Sequence, residues 1–152
     1  MTDPISFTAT TPRFRLPLLF VGQAQKEFTV NEAHVLADVL LHASCQGTAA
    51  TPPVAPVEGD AWIVGEEADG DWAGHDGQLA AWQAGTWLFV APRDGMRVFD
   101  LSTGRFALYR GGWQLPEAPA APSGGSTVDT QARDAISALV AALVDAGIFA
   151  QD

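Results

Sequence analysis

Five tryptophans, at positions 62, 72, 82, 87 and 113, all fall within residues 59–115. An exposed indole face stacks on a sugar ring, whereas in a small β-domain the same side chain more often forms the core. Trp72, Trp87, Tyr109 and Trp113 are the candidate sugar-binding residues, and Trp72, in a loop, is the one expected to be most exposed. The loop carrying it, Glu66-Glu67-Ala68-Asp69-Gly70-Asp71-Trp72-Ala73-Gly74-His75-Asp76-Gly77, interleaves carboxylates with glycine. Such a run offers oxygens to calcium, but its spacing is not that of an EF-hand, and Asx-turns use the same residues without an ion. It reads as a solvated, turn-rich loop with no metal.

Other chemistry is sparse. The phosphate-loop, dinucleotide, nucleophile-elbow and H-E-x-x-H patterns do not occur. His42 and Cys45, three apart, have helical spacing rather than that of a nucleophile and its base. His34 and Asp38, four apart, would pair on a helix surface or at an interface. No residue is assigned a catalytic role, and no cofactor is expected.

The elements that would position these residues predict an α+β fold. Residues 1–28 form an extended arm, kept from helix by Pro4, Pro12 and Pro17 and studded with Phe7, Phe14, Phe20 and Phe28. These phenylalanines are expected to anchor the arm on a neighbouring surface. Thr29 and Glu32 form a T-x-x-E capping box, which predicts a helix from Val30 to about Ser44 with Leu36, Val39, Leu40 and Ala43 facing the core. Cys45 would then be a buried free thiol inside that helix, ended by Gly47. Residues 29–115 thus combine a helix with a small antiparallel β-domain.

Within it, Asp60–Val64 reads as a strand, followed by two hairpins. The first pairs Gln78–Gln83 with Thr86–Ala91; the second pairs Met96–Leu101 with Arg105–Arg110. Phe99, Leu101, Phe106 and Leu108 alternate as in a half-buried sheet. Trp82 to Trp87 and Tyr109 to Trp113 form a weak internal repeat, each an aromatic, a glycine turn and a tryptophan. Residues 116–128 have the composition of a linker. Residues 129–152 form a C-terminal helix with Asp129 as N-cap and Gly147 just past its end. Ala132, Ile136, Leu139, Leu143 and Ala146 follow 4-3-4-3 spacing, a short heptad seam in which Ile136, Leu139 and Leu143 would join copies of the chain.

Composition narrows the function classes. With 152 residues, 8 basic against 18 acidic, the chain carries a formal charge of −10 and repels phosphate backbones, so no nucleic-acid partner is expected. No apolar window approaches the ~20 residues that span a bilayer, and the first residues lack a signal peptide, so synthesis in the cytoplasm and no membrane partner are expected. Charged residues make up 17%, against roughly 25% in an average soluble protein. That shortage points to surface covered by other subunits.

Residues 12–115 resemble a domain family of unknown function frequent in alphaproteobacterial prophages and gene transfer agents. Leu16-Pro17, Gly22-Gln23-Ala24-Gln25-Lys26-Glu27, Val30-Asn31-Glu32-Ala33, Pro56 to Gly65, Trp72 to Gly77, Ala81-Trp82, Gly85-Thr86-Trp87 and Pro92 to Gly95 carry the likeness. The resemblance implies a virion protein of a tail fibre, spike or baseplate periphery, involved in host attachment. The partners expected are further copies of the chain, with a trimer favoured, other virion proteins and cell-surface polysaccharide. A carbohydrate-binding module is the alternative reading, and a polysaccharide depolymerase the third.

Overall fold

The computed structural model describes residues 9–22 and 26–150. Phe7 lies outside them. The fold is α+β: helix α1 (Lys26–Leu40), strands β1 (Ser44–Cys45), β2 (Thr48–Ala49), β3 (Ala61–Val64), β4 (Leu79–Gln83), β5 (Thr86–Val90), β6 (Arg97–Asp100), β7 (Arg105–Tyr109) and β8 (Trp113–Gln114), then helix α2 (Thr130–Asp145).

Helix α1 begins and ends earlier than the capping box predicts. Thr29 and Glu32 lie inside its first turns. It stops because His42 takes φ +48° and turns the chain into β1. Cys45 is therefore a strand residue, although a buried free thiol as expected. Gly47, between β1 and β2, has φ +138° and packs where a Cβ would lie 3.2 Å from the Ser102 hydroxyl. Of the expected core stripe, Val39 and Ala43 are buried, while Leu36 and Leu40 stay partly open.

The β-zone is two four-stranded sheets, ordered β2-β3-β4-β5 and β1-β6-β7-β8. Both predicted hairpins form. The sheets are nevertheless mixed rather than purely antiparallel, because β1 runs parallel to β6 and β2 parallel to β3. The two sheets repeat one plan. Pro56-Val57-Glu58-Gly59 and Pro92-Arg93-Asp94-Gly95 each make a turn entering the first long strand, with Asp60 N–H donating to Val57 O and Met96 N–H to Arg93 O. Gly59 and Gly95 take φ of +91° and +90° and donate to the carbonyls of Trp82 and Tyr109, whose own amides return to Asp60 and Met96. Glu58 then accepts from Ala84 N and Gly85 N at 2.8 and 3.0 Å, as Asp94 does from Gly111 N at 2.8 Å.

The main core gathers Val39, Ala43 and Cys45 with Ala61, Ile63, Leu79, Ala81, Val98 and Ala107. In the second hairpin the alternation holds, but the deepest face is that of Val98 and Ala107. Phe99 and Phe106 lie half-buried on the other face, and Leu101 is exposed.

Candidate functional site

The register of the β2–β5 sheet puts Trp62, Ala80, Trp82, Trp87 and Phe89 on the face turned away from the main core. A bare aromatic face of this kind needs a cover, and residues 65–77 supply it. The loop folds down through a single 3-10 turn at Gly70–Trp72 and inserts Trp72 above the small Ala80. Trp72 is fully buried, so the expectation that it is the exposed, sugar-facing tryptophan is overturned. Its ring packs 6.2 Å from Trp62 and 5.0 Å from Trp87, the latter edge-on at 81°. Its Nε1 has no hydrogen-bond partner. Asp76 closes the loop by accepting from Glu67 N and Ala68 N at 3.1 Å each, and His75 stacks on Phe89 at 3.6 Å. Despite its charge, the loop is a lid with an apolar plug.

Beside the plug the face opens. Asp71, Trp82, Gly85, Thr86, Trp87 and Phe89 line a surface hollow of about 310 Å³. Trp82 and Trp87, cross-strand partners in the hairpin, meet at 4.9 Å and 63°, a corner of two rings. Trp87 thus belongs to a candidate site, together with Trp82, Asp71 and Thr86, which the sequence reading did not select. The cross-strand pairing of two tryptophans around Ala84-Gly85 was the available signal.

Tyr109 and Trp113 are brought together elsewhere. They pair across the β7–β8 turn at 5.3 Å and 74°, the counterpart of Trp82 and Trp87 in the second sheet. Their cleft, about 420 Å³, also takes in Glu66 and Asp76. Trp113 spends its Nε1 on Gly77 O at 2.8 Å, tying the second sheet to the lid loop of the first. The four candidate sugar-binding residues therefore divide into a buried plug, one wall of the hollow and a separate cleft.

The model of a family described as a protein of unknown function (DUF2793) matches residues 30–114. The chain belongs to this family. No curated protein matches it. The DUF2793 match ends on the last residue of β8, so it spans both sheets, the lid loop and the hollow, and leaves α2 outside.

Helix α2 is as predicted at both ends. Asp129 accepts from Ala132 N at 2.9 Å, and Gly147, at φ +69°, closes a Schellman turn through Gly147 N–Val144 O and Ile148 N–Leu143 O. Gly147 is also the contact with the second sheet. Phe106 N donates to its carbonyl at 2.7 Å, and a Cβ there would lie 3.1 Å from the Phe99 ring. The rest of α2 is not packed on the sheets: none of its 16 residues is buried, and Ile136 and Leu139 are 43% and 61% exposed. The linker residues Ala118–Pro122 run beside its Ile136–Val140–Val144 side, held there by Arg133 on Pro122 O and Gly124 O. Leu139 lies outside that covered strip.

The arm is fastened rather than free. Asp38, buried, accepts from Thr11 Oγ1 (2.7 Å), Arg13 N (3.0 Å) and Phe14 N (2.7 Å). Arg13 in turn donates to Val39 O, His42 O and Ser44 Oγ, satisfying carbonyls at the end of α1. His34 meets Pro17 O at 2.8 Å, so the expected His34–Asp38 pair does not form; both side chains hold the arm. Asn31 clasps both backbone groups of Leu19. Phe14 and Phe20 remain substantially exposed, and Phe28 belongs to α1 rather than to the arm.

Burial pushes the Cys45 thiol up to about 11, with Asp100 adding to the shift and the Gly47 and Ile63 amides opposing it. Among the described residues no three His, Cys, Asp or Glu side chains are placed to hold a metal ion, and no helix is long and apolar enough to cross a membrane.

Proposed function

We propose that this chain is a structural protein of a phage-like particle. It forms part of a fibre, spike or baseplate periphery that acts in host attachment, and α2 joins its copies, three being the favoured number. The observation that carries the reading is the open side of α2. Leu139 lies open, and Ile136, which also borders the linker but is still 43% exposed, and the half-buried Leu143 recur with it at heptad spacing on a helix with no buried residue. Burying one such side chain contributes roughly 1.5–3 kcal/mol, so a seam of three repeated in each copy stabilises association. Leu36, Leu40 and Phe28 on α1 add further exposed apolar surface elsewhere on the chain. The resemblance of residues 12–115 to domains of prophages and gene transfer agents supplies the setting, and the sugar-sized hollow suits attachment. The virion is then the place where the protein acts, after assembly in the bacterial cytoplasm.

Immunogold labelling of particles released by the source bacterium tests this. Antibody to the chain should mark a fixed position on the particles. A chain found only in particle-free fractions would overturn the proposal.

A further inference from the structure

We infer that the hollow beside the Trp72 plug is a binding site for an uncharged hexopyranose, with Trp82 as its stacking platform and Asp71 as its hydroxyl acceptor. The inference is independent of assembly through α2, because the hollow lies on the β4–β5 hairpin and on the lid loop.

Three features of the hollow select a sugar. Trp82 and Trp87 make an aromatic corner that is held from behind. Trp87 packs edge-on against Trp62 and Trp72 as well as Trp82, so the corner cannot collapse when empty. An indole face, negative at its centre, attracts the positively polarised C–H face of a pyranose. Asp71, exposed and engaged in no side-chain hydrogen bond among the described residues, lines the same hollow as the rings; Thr86 lines it too, but strand alternation turns its side chain to the face opposite Trp87. A carboxylate accepts from two hydroxyls at once, which suits adjacent hydroxyls on one ring. The volume, about 310 Å³, is at the lower end of the roughly 300–1,000 Å³ of small-ligand sites, room for a terminal or edge-bound ring.

Charge narrows the class. No Lys, Arg or His lines the hollow, and the chain carries −10 overall. A uronic acid would meet Asp71 with no counter-charge, so neutral sugars are preferred. The hairpin geometry that builds the corner is itself fixed by Glu58, which holds the Ala84-Gly85 turn from below.

The test titrates the full chain, followed by tryptophan fluorescence, with methyl glucoside, galactoside and mannoside and with N-acetylglucosamine. Galacturonate and choline chloride are the charged controls. At least one neutral sugar should give a saturable change, weakened about tenfold or more by Asp71→Asn and by Trp82→Ala. Asp71→Asn is an exposed, near-isosteric change that leaves the rings in place, and near-UV circular dichroism checks the fold of Trp82→Ala. Replacing Leu139 and Leu143 by Asp should leave this binding unchanged. Three outcomes overturn the inference: no response to any of the four neutral sugars, binding that survives Asp71→Asn, or a response to galacturonate or choline alone.

Discussion

The two sheets share one backbone plan and differ in what covers the face away from the main core. In the β2–β5 sheet, the tryptophan sheet, that cover is local. The lid loop enters directly from β3, and its Trp72 fills the space left by Ala80. In the β1-β6-β7-β8 sheet, the phenylalanine sheet, Phe99 and Phe106 face outward, with Arg97 stacked 4.3 Å over Phe106. Their cover comes from Gly147, at the far end of α2 and outside the DUF2793 match. One sheet is therefore completed by its own connection, and the other by the element proposed to join copies. A repeated scaffold carries a ligand-sized hollow on one half and, on the other, the contact with the helix proposed to join copies.

Breaking the tryptophan sheet should have the largest effect. Trp72→Ala removes the plug from a fully buried cluster and should cost about 3–5 kcal/mol in urea unfolding. Phe106→Ala, at a half-buried site, should cost less than half as much. Equal losses would mean that the two outer faces are equivalent. Next is the thiol at the junction of the sheets. Because its folded pKa is raised to about 11, Cys45 stays protonated in the folded chain while the unfolded chain ionises near pH 9. Unfolding free energy should thus hold steady up to about pH 9 and fall by on the order of 2 kcal/mol toward pH 11. Cys45→Ala should flatten that step in a pH series of urea melts.

A smaller effect, confined to the phenylalanine sheet, is expected at Gly147. A Cβ there meets Phe99 and must take φ +69°, so Gly147→Ala should cost about 1–2 kcal/mol. Protease should then cut the 116–128 segment faster, with the tryptophan signal unchanged. The smallest contrast compares the two turn clamps. Glu58→Ala loses two hydrogen bonds and Asp94→Ala one, each worth roughly 0.5–1.5 kcal/mol, so thermal melts should rank the first variant below the second.

Signals that act within a few residues were legible in the sequence. Asp129 and Gly147 bound α2, and the glycine turns at Ala84-Gly85 and Gly104 place both hairpins. The failures involve partners distant in the chain. The T-x-x-E pattern misplaced α1, whose end is set by Arg13 and by the turn at His42. Asp38 looked like a surface partner for His34 because nothing local shows that Thr11, Arg13 and Phe14 converge on it. Trp72 reads as exposed because it lies in a loop rather than a strand. The stronger clue was that Trp62, Trp87 and Phe89 share one face of a sheet that no other segment covers. The aromatic, glycine-turn and tryptophan repeat at 82–87 and 109–113 is visible in the sequence, whereas the Pro-x-acid-Gly turns at 56–59 and 92–95 match only through the sheet hydrogen bonds that pair each with its hairpin.

The claim that α2 joins copies is tested most directly by light scattering on the purified full chain, alongside a variant with Leu139 and Leu143 replaced by Asp. The unaltered chain should give a multiple of 16.0 kDa, three being favoured. The variant should give 16.0 kDa with its near-UV tryptophan spectrum intact. A monodisperse 16.0 kDa species from the unaltered chain at micromolar concentration would contradict the account.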